Sequence, residues 1–403
     1  MEFKVKWGFL DQQSKEKDTS RAKVTTLSLG GKEVKSPSRG IKISKSTTDF
    51  ALWNKVTGGI MPPQGLGFMH MGVVPETVKN ITQTNGKFNE KVSESSEMLK
   101  SIDSRTIKII YPRIPKSIGN KISITEENVT AFLDFLNTAA GNDANLLPLP
   151  PTEHTLANTK LIKKGIETVY NSTDRGKRKP LLGYVPAFDD PGAAKKILEL
   201  YLGLDLDVNV FVIDFAHGKK DRTANELIRR LMDANLKGDL GDYYVHAVNV
   251  PKDCNSKASA TPFYDLPLAT EGIDSFHNLL YGGGGNQPAK GQSVVDFNKT
   301  KKYSLQSQYG SYNFAELFTR GLLKGPCDCP VCKGEKIESL FGMKDYTLFQ
   351  EKLMVHRIHL ALQEVEEQRR IMEDGTSLLD YLRERPMARL QVGNIMDVMK
   401  GAR

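Results

Sequence analysis

Long apolar runs are missing from this chain. No stretch approaches the ~20 apolar residues a helix needs to cross a bilayer, so membrane-spanning helices are excluded and a soluble protein is expected. The first residues, MEFKVKWGFLDQQSKEKD, are charged from the start. They lack the apolar stretch and small-residue cleavage site of a secretory signal, so the expected compartment is the cytoplasm. Strong charge of one sign is also missing: Lys and Arg total 56 against 48 for Asp and Glu, a net charge of +8. That excess is compatible with a polyanionic partner without establishing one. Two nucleotide-binding fingerprints are absent as well. No Gly-x-Gly-x-x-Gly opens the first clear strand–helix unit, and Gly282 to Gly285 is not followed by a helix-starting Lys-Ser/Thr.

Cysteine is scarce, with four in 403 residues, and it is not scattered as a disulfide framework would be. Cys327, Cys329 and Cys332 fall within six residues and leave Cys254 alone. Such a knot of thiols points to a metal, and tetrahedral Zn²⁺ needs one more donor. A helical stripe begins near Thr347, with Thr347 and Gln350 in capping-box spacing, and ends at Gly375. It carries His356 and His359, either of which supplies the fourth ligand. Three thiolates and an imidazole close the shell, which makes the metal structural.

From about residue 105, short apolar runs alternate with helical segments. The runs are Ile107–Ile110, Leu146–Leu149, Leu181–Val185, Val208–Ile213 and Tyr243–Val250. The helices are expected over Glu126–Ala140, Leu156–Tyr170, Ala193–Leu202 and Ala224–Leu236, with Thr125 and Asp221 or Thr223 as N-caps. This rhythm predicts a parallel α/β sheet, and without a dinucleotide fingerprint the expected form is a closed (β/α)8 barrel. Function in a barrel gathers on loops that follow the strands' C-terminal ends. Basic clusters at Lys160, Lys163, Lys164, Arg175, Lys177, Arg178 and Lys179, and at Lys299, Lys301 and Lys302, read as solvated faces or as tracks for a phosphate backbone.

Cys-x-Cys-Pro-Val-Cys at 327–332, with 23 residues before His356 in Leu-Met-Val-His, resembles the zinc site of the tRNA-guanine transglycosylase superfamily. The resemblance selects His356 over His359. It implies a TIM barrel over residues 1–403 with a zinc-binding subdomain at 305–375. Glu271-Gly-Ile-Asp-Ser-Phe-His277 is similar to that family's nucleophile segment, Ile102-Asp-Ser104 to the start of its Asp-Ser-Gly-Gly-Phe loop, and Ile124-Thr-Glu-Glu127 to a helix start. Phe211-Val-Ile-Asp-Phe-Ala-His-Gly218 is similar to its base-recognition strand.

The departures from that pattern point to a branch of the superfamily. His277 stands where the nucleophilic Asp is expected, Arg105 and Thr106 replace two glycines, and Glu153 is the acid offered where a base-recognising Asp is expected. The pattern is most similar to the diverged DNA transglycosylases, which place 7-deazaguanine derivatives in DNA. The implied roles are Asp274 as nucleophile, Asp103 as acid/base, and His277 as a pocket residue. Asp214, His217 and Glu153 are implied as base-binding. Implied partners are DNA first and tRNA as the alternative, a free 7-deazaguanine base, and by analogy a second copy of the chain. A non-catalytic paralogue that binds nucleic acid or a partner subunit is the other reading, favoured by the loss of Asp at 277.

Overall fold

The structure is a computed structural model that describes residues 3–10, 21–43, 49–57, 66–72, 106–113, 147–148, 159–172, 179–186, 191–204, 208–215, 221–250, 258–278, 290–323 and 325–389, with scattered positions at 90–100 and 288. The chain opens with strands β1 (Phe3–Leu10), β2 (Lys23–Leu29), β3 (Lys32–Lys35), β4 (Ser38–Arg39) and β5 (Ile41–Ile43), helix α1 (Asp49–Thr57), and strands β6 (Leu66–Gly72), β7 (Ile107–Arg113) and β8 (Leu147–Pro148). Strand–helix alternation follows: α2 (Thr159–Ser172), β9 (Leu181–Pro186), α3 (Pro191–Leu202), β10 (Val210–Asp214), α4 (Asp221–Lys237) and β11 (Tyr244–Val250). After β12 (Ala260–Pro262) and a 3-10 turn at Leu266–Glu271 come β13 (Ser275–Asn278), α5 (Val294–Lys299), β14 (Lys302–Leu305), β15 (Gly310–Asn313), α6 (Phe314–Thr319), α7 (Ile337–Phe341), α8 (Tyr346–Glu373) and α9 (Leu378–Arg383).

The expected mixed α/β architecture is present. Six strands form a sheet in the order β4-β13-β11-β10-β9-β8, parallel throughout. A second parallel sheet has the order β5-β6-β7. Antiparallel sheets β1-β2-β3 and β12-β15-β14 lie outside these two. Among the described residues no helix is long and apolar enough to cross a membrane.

Side-chain alternation sorts the parallel strands into two faces. Leu181, Val185, Phe211, Ile213, Val245 and Ala247 pack with Ile197, Leu198 and Tyr201 of α3 and Leu227, Ile228 and Leu231 of α4. The opposite face carries Leu182, Tyr184, Val210, Val212, Tyr244 and Val248. It clusters with Ile107 and Ile109 of β7 and with Leu27, Leu29 and Val34 of the N-terminal hairpin. Both faces are therefore dry, which is why these strands read as continuous apolar runs. A third core joins Trp53 of α1 to Tyr303, Tyr312, Leu340, Phe341, Phe349 and Val355 around the cysteine segment.

Three start signals differ from expectation. Asp221 and Thr223 lie inside the first turn of α4 rather than capping it. The helix read from Thr347 begins at Tyr346, because Asp345 accepts the Leu348 N–H at 3.0 Å and fills the cap. It does end where Gly375 takes a left-handed φ of 79°. The expected helix at 126–140 with its Thr125 cap, and the glycine run at 282–285, lie outside the described residues.

Candidate functional site

The cysteine segment is a tight turn closed at its base by a Pro326–Lys336 bridge. Within it the Cys332 N–H donates to Cys329 Sγ at 3.3 Å, Lys333 N–H to Cys329 O at 2.8 Å and Gly334 N–H to Cys327 O at 3.0 Å. Lys333 and Gly334 have φ of 52° and 78°, a left-handed pair that turns the chain back on itself. The turn aims three thiols at one point, and α8 brings His356 to the same point.

His356 Nδ1 lies 3.9, 3.3 and 3.6 Å from the sulfurs of Cys327, Cys329 and Cys332. Ordinary Zn–S and Zn–N bond lengths at a tetrahedral angle place sulfur and nitrogen about 3.6 Å apart, so the cage has the size of a zinc ion. All four ligand atoms lie within 4.8 Å of one another. The imidazole is oriented as a ligand should be. Its Nε2 lies 2.9 Å from the Ser304 carbonyl, which can only accept, so Nε2 keeps its proton and Nδ1, facing the sulfurs, is the nitrogen a metal would take. The Tyr303 ring stacks on it at 4.4 Å, and the Tyr303 hydroxyl stands 3.5 Å from Cys332 Sγ.

The thiols and the imidazole share protons within the cage, the Cys327 thiol shifted down and the Cys332 thiol up by their mutual hydrogen bonds. Burial opposes a charged His356, yet hydrogen bonds to Cys327 and Cys329 outweigh it and raise its pKa to about 9. Hydrogen bonds from Cys329 and Cys332 hold the Cys327 thiol well below the ordinary range. His359, by contrast, packs 6.0 Å from the Trp53 ring and is absent from the ligand group.

A second polar group stands at the C-terminal ends of the parallel strands. Asp214, the last residue of β10, accepts the Tyr184 hydroxyl on Oδ2 and the Asn249 amide on Oδ1, the latter at 2.6 Å. All three are buried. Asn249 interrupts an apolar strand and holds a φ of 58°, a left-handed conformation that non-glycine residues adopt at some cost. One layer deeper, His246 Nδ1 lies 2.7 Å from Ser275 Oγ, and burial pushes the His246 pKa down to about 3. His277, two residues beyond Ser275, therefore shares its strand face, at the C-terminal end of β13. Tyr184, Asn249, His246 and Ser275 went unread in the sequence. Asn249 was the detectable signal, a polar residue inside Val-His-Ala-Val-Asn-Val.

Asp274 is not brought to that end. It precedes β13 at the opposite edge of the sheet, where Oδ2 accepts the Val245 N–H at 2.7 Å and pairs with the Lys23 ammonium. The two side chains are 2% and 0% exposed for Lys23 and Asp274. Lys23 Nζ also donates to Thr25 and to the Tyr243 carbonyl, beneath the Trp7 and Tyr243 rings. A carboxylate buried in such a pair joins the N-terminal hairpin to the sheet. It stands about 10 Å of strand from His277 by the ordinary rise per residue.

Asp103, Glu153, His217 and Cys254 lie outside the described residues. In the chain Asp103 precedes β7 rather than following it. The basic clusters are partly engaged. Lys163 donates to the Gly203 carbonyl and lies 3.8 Å from Glu167, Lys299 pairs with Asp296, Lys301 covers the Phe297 ring and Lys302 donates to Thr261. No family model and no curated protein matches this chain.

Proposed function

We propose that the chain is a base-exchange transglycosylase that replaces guanine in DNA with a 7-deazaguanine derivative. The observation that carries the reading is the Cys327, Cys329, Cys332 and His356 cage, whose size, tautomer and donor set fit zinc. It is the motif through which the sequence resembles the tRNA-guanine transglycosylase superfamily. Zinc there crosslinks the turn to α8 as a closed, structural centre; residues 305–375 form its subdomain in this reading.

A (β/α)8 barrel is the fold that goes with it, and the strand pairings support closure. β4 and β5 are separated by Gly40 alone; β4 pairs with β13 at one end of the larger sheet while β5 pairs with β6. β7 at the other end of the smaller sheet lies beside β8. With β4 and β5 counted as one strand, eight parallel strands follow in ring order, and the face away from the helices becomes the barrel interior.

The exchange breaks the C1′–N9 bond of guanine, forms a C1′–O bond to a carboxylate, and hands a proton to N9 of the departing base. The incoming base then gives up its own N9 proton and attacks C1′, freeing the carboxylate. Asp214 is the described carboxylate at the strands' C-terminal ends, held there by two hydrogen-bond donors. It takes the nucleophile's role in place of Asp274, and His277 takes the proton-transfer role. The target nucleotide must leave the base stack to reach such a site. Incubation with a labelled 7-cyano- or 7-aminomethyl-7-deazaguanine and either DNA or tRNA tests the reading. Label is expected in DNA, and Asp214→Asn is expected to lower it at least about a hundredfold. Label in tRNA alone moves the substrate, and label in neither refutes the exchange.

The second reading, a non-catalytic nucleic-acid-binding paralogue, is favoured by the commitment of Asp274 to Lys23 and by the absence of Asp at position 277. DNA retention without incorporation supports it.

A further inference from the structure

Helix α8 carries more than a metal ligand. Arg357, next to His356, reaches from the metal-bearing helix to Asp265, the residue that starts the 3-10 turn leading into β13. Asp265 is fully buried, with one oxygen paired to Arg357 and the other accepting the Asn278 amide at 2.6 Å. The Arg357 guanidinium lies 3.8 Å over the Phe263 ring, and among the described residues its Nε and Nη1 have no hydrogen-bond partner. Asp265 is therefore the principal compensation for a buried cation, and Arg357 and Asp265 must move together or lose each other at high cost. Farther along α8, Gln368 donates to the Leu266 carbonyl at 3.1 Å, and Arg369 donates to the Pro37 carbonyl at 3.0 Å, just before β4. One helix thus carries a ligand of the metal cage and, from Arg357 onward, holds the segments that precede β13 and β4.

We infer that Arg357 is a positioning residue that couples occupancy of the Cys3His cage to the placement of β13, the strand that carries His277. Metal bound at His356 fixes the rotation and height of α8. That setting fixes Arg357, which holds Asp265, which holds Asn278 beside His277. The inference goes beyond the transglycosylase reading and does not depend on it, because the coupling exists for whatever chemistry the strand ends perform.

Amide hydrogen exchange on the full chain reads the coupling without any activity assay. In the zinc-loaded wild type, amides 275–278 are expected to exchange slowly. Chelating the zinc is expected to speed them about tenfold or more, the change that losing a hydrogen bond to a charged group produces, while amides 210–214 of β10 change little. Arg357→Met is expected to exchange fast at 275–278 even when loaded, with an unaltered charge-transfer and d–d spectrum when Co²⁺ replaces zinc. Should Arg357→Met fail to fold, Arg357→Met/Asp265→Asn removes both charges, keeps an acceptor for Asn278, and carries the same expectation. The coupling is overturned if the loaded variant protects 275–278 as the wild type does, or if chelation leaves 275–278 unchanged. It is equally overturned if chelation loosens 210–214 as much as 275–278.

Discussion

His246 is wholly buried beneath the Asp214 group, bonded to Ser275, and burial holds its pKa near 3, so it is neutral in the folded protein at every ordinary pH. Unfolding returns the imidazole to about 6.5. Between those values the unfolded chain binds a proton that the folded chain refuses, so stability falls as pH falls. The slope from this one residue is about 1.4 kcal/mol per pH unit below 6.5, or about 2 kcal/mol between pH 7 and 5. Urea unfolding at the two pH values measures it, and His246→Gln is expected to flatten the dependence by that amount. The four cage residues make a separate prediction. Their ligand atoms converge and their second contacts are in place, so His356→Ala or Cys332→Ser is expected to lose bound zinc on dialysis against a competing chelator. His359→Ala, whose ring packs on Trp53 instead, is expected to keep it. Retention of zinc by His356→Ala would place the fourth ligand elsewhere.

Strands and helices respond to substitution through their faces. Gly183 sits on the helix-facing side of β9, where an added Cβ would stand 2.8 Å from the Phe211 ring and 3.1 Å from the Tyr201 ring. Gly183→Ala is therefore expected to cost about 1–3 kcal/mol, read as a lower denaturation midpoint with an unchanged slope. At this scale much was legible in the sequence. Runs such as Leu181–Val185 and Tyr243–Val250 differ from the observed strands by a residue, because burial on both faces writes an unbroken apolar signal. The N-terminal hairpin was not legible. Its strand Lys-Val-Thr-Thr-Leu-Ser-Leu buries a lysine and a threonine, and the lysine's partner, Asp274, lies 251 residues away. The same distinction divides the site. Cys327, Cys329 and Cys332 are neighbours in sequence and declare themselves, whereas Tyr184, Asp214 and Asn249 meet only through the register of three strands, which no local pattern encodes. Asp274 and His277 share one motif, yet a strand places them at opposite ends of the sheet.

Across the whole molecule the chain's beginning is fastened to its later parts by buried and half-buried polar contacts. The Trp7 N–H donates to Asp242 and its indole to the Tyr243 carbonyl, Arg369 reaches the Pro37 carbonyl, and Lys23 pairs with Asp274. The last of these carries the greatest electrostatic stake. Burial depresses the Lys23 pKa and the Asp274 carboxyl works against that shift, so the ammonium leans on its partner. Removing one partner leaves an isolated charge in the core. Asp274→Asn or Lys23→Met is accordingly expected to cost about 3–5 kcal/mol, while Lys23→Met/Asp274→Leu, which removes both charges together, is expected to recover most of that loss. Urea denaturation of the four proteins, followed by tyrosine and tryptophan fluorescence because Trp7 and Tyr243 flank the pair at 5.5 and 5.0 Å, measures the cycle. The same set separates the two roles that Asp274 has been given. If base exchange survives in the folded double variant, the carboxylate serves the frame. If exchange is lost there while stability and metal content are restored, Asp274 belongs to the chemistry and the assignment of the nucleophile to Asp214 fails.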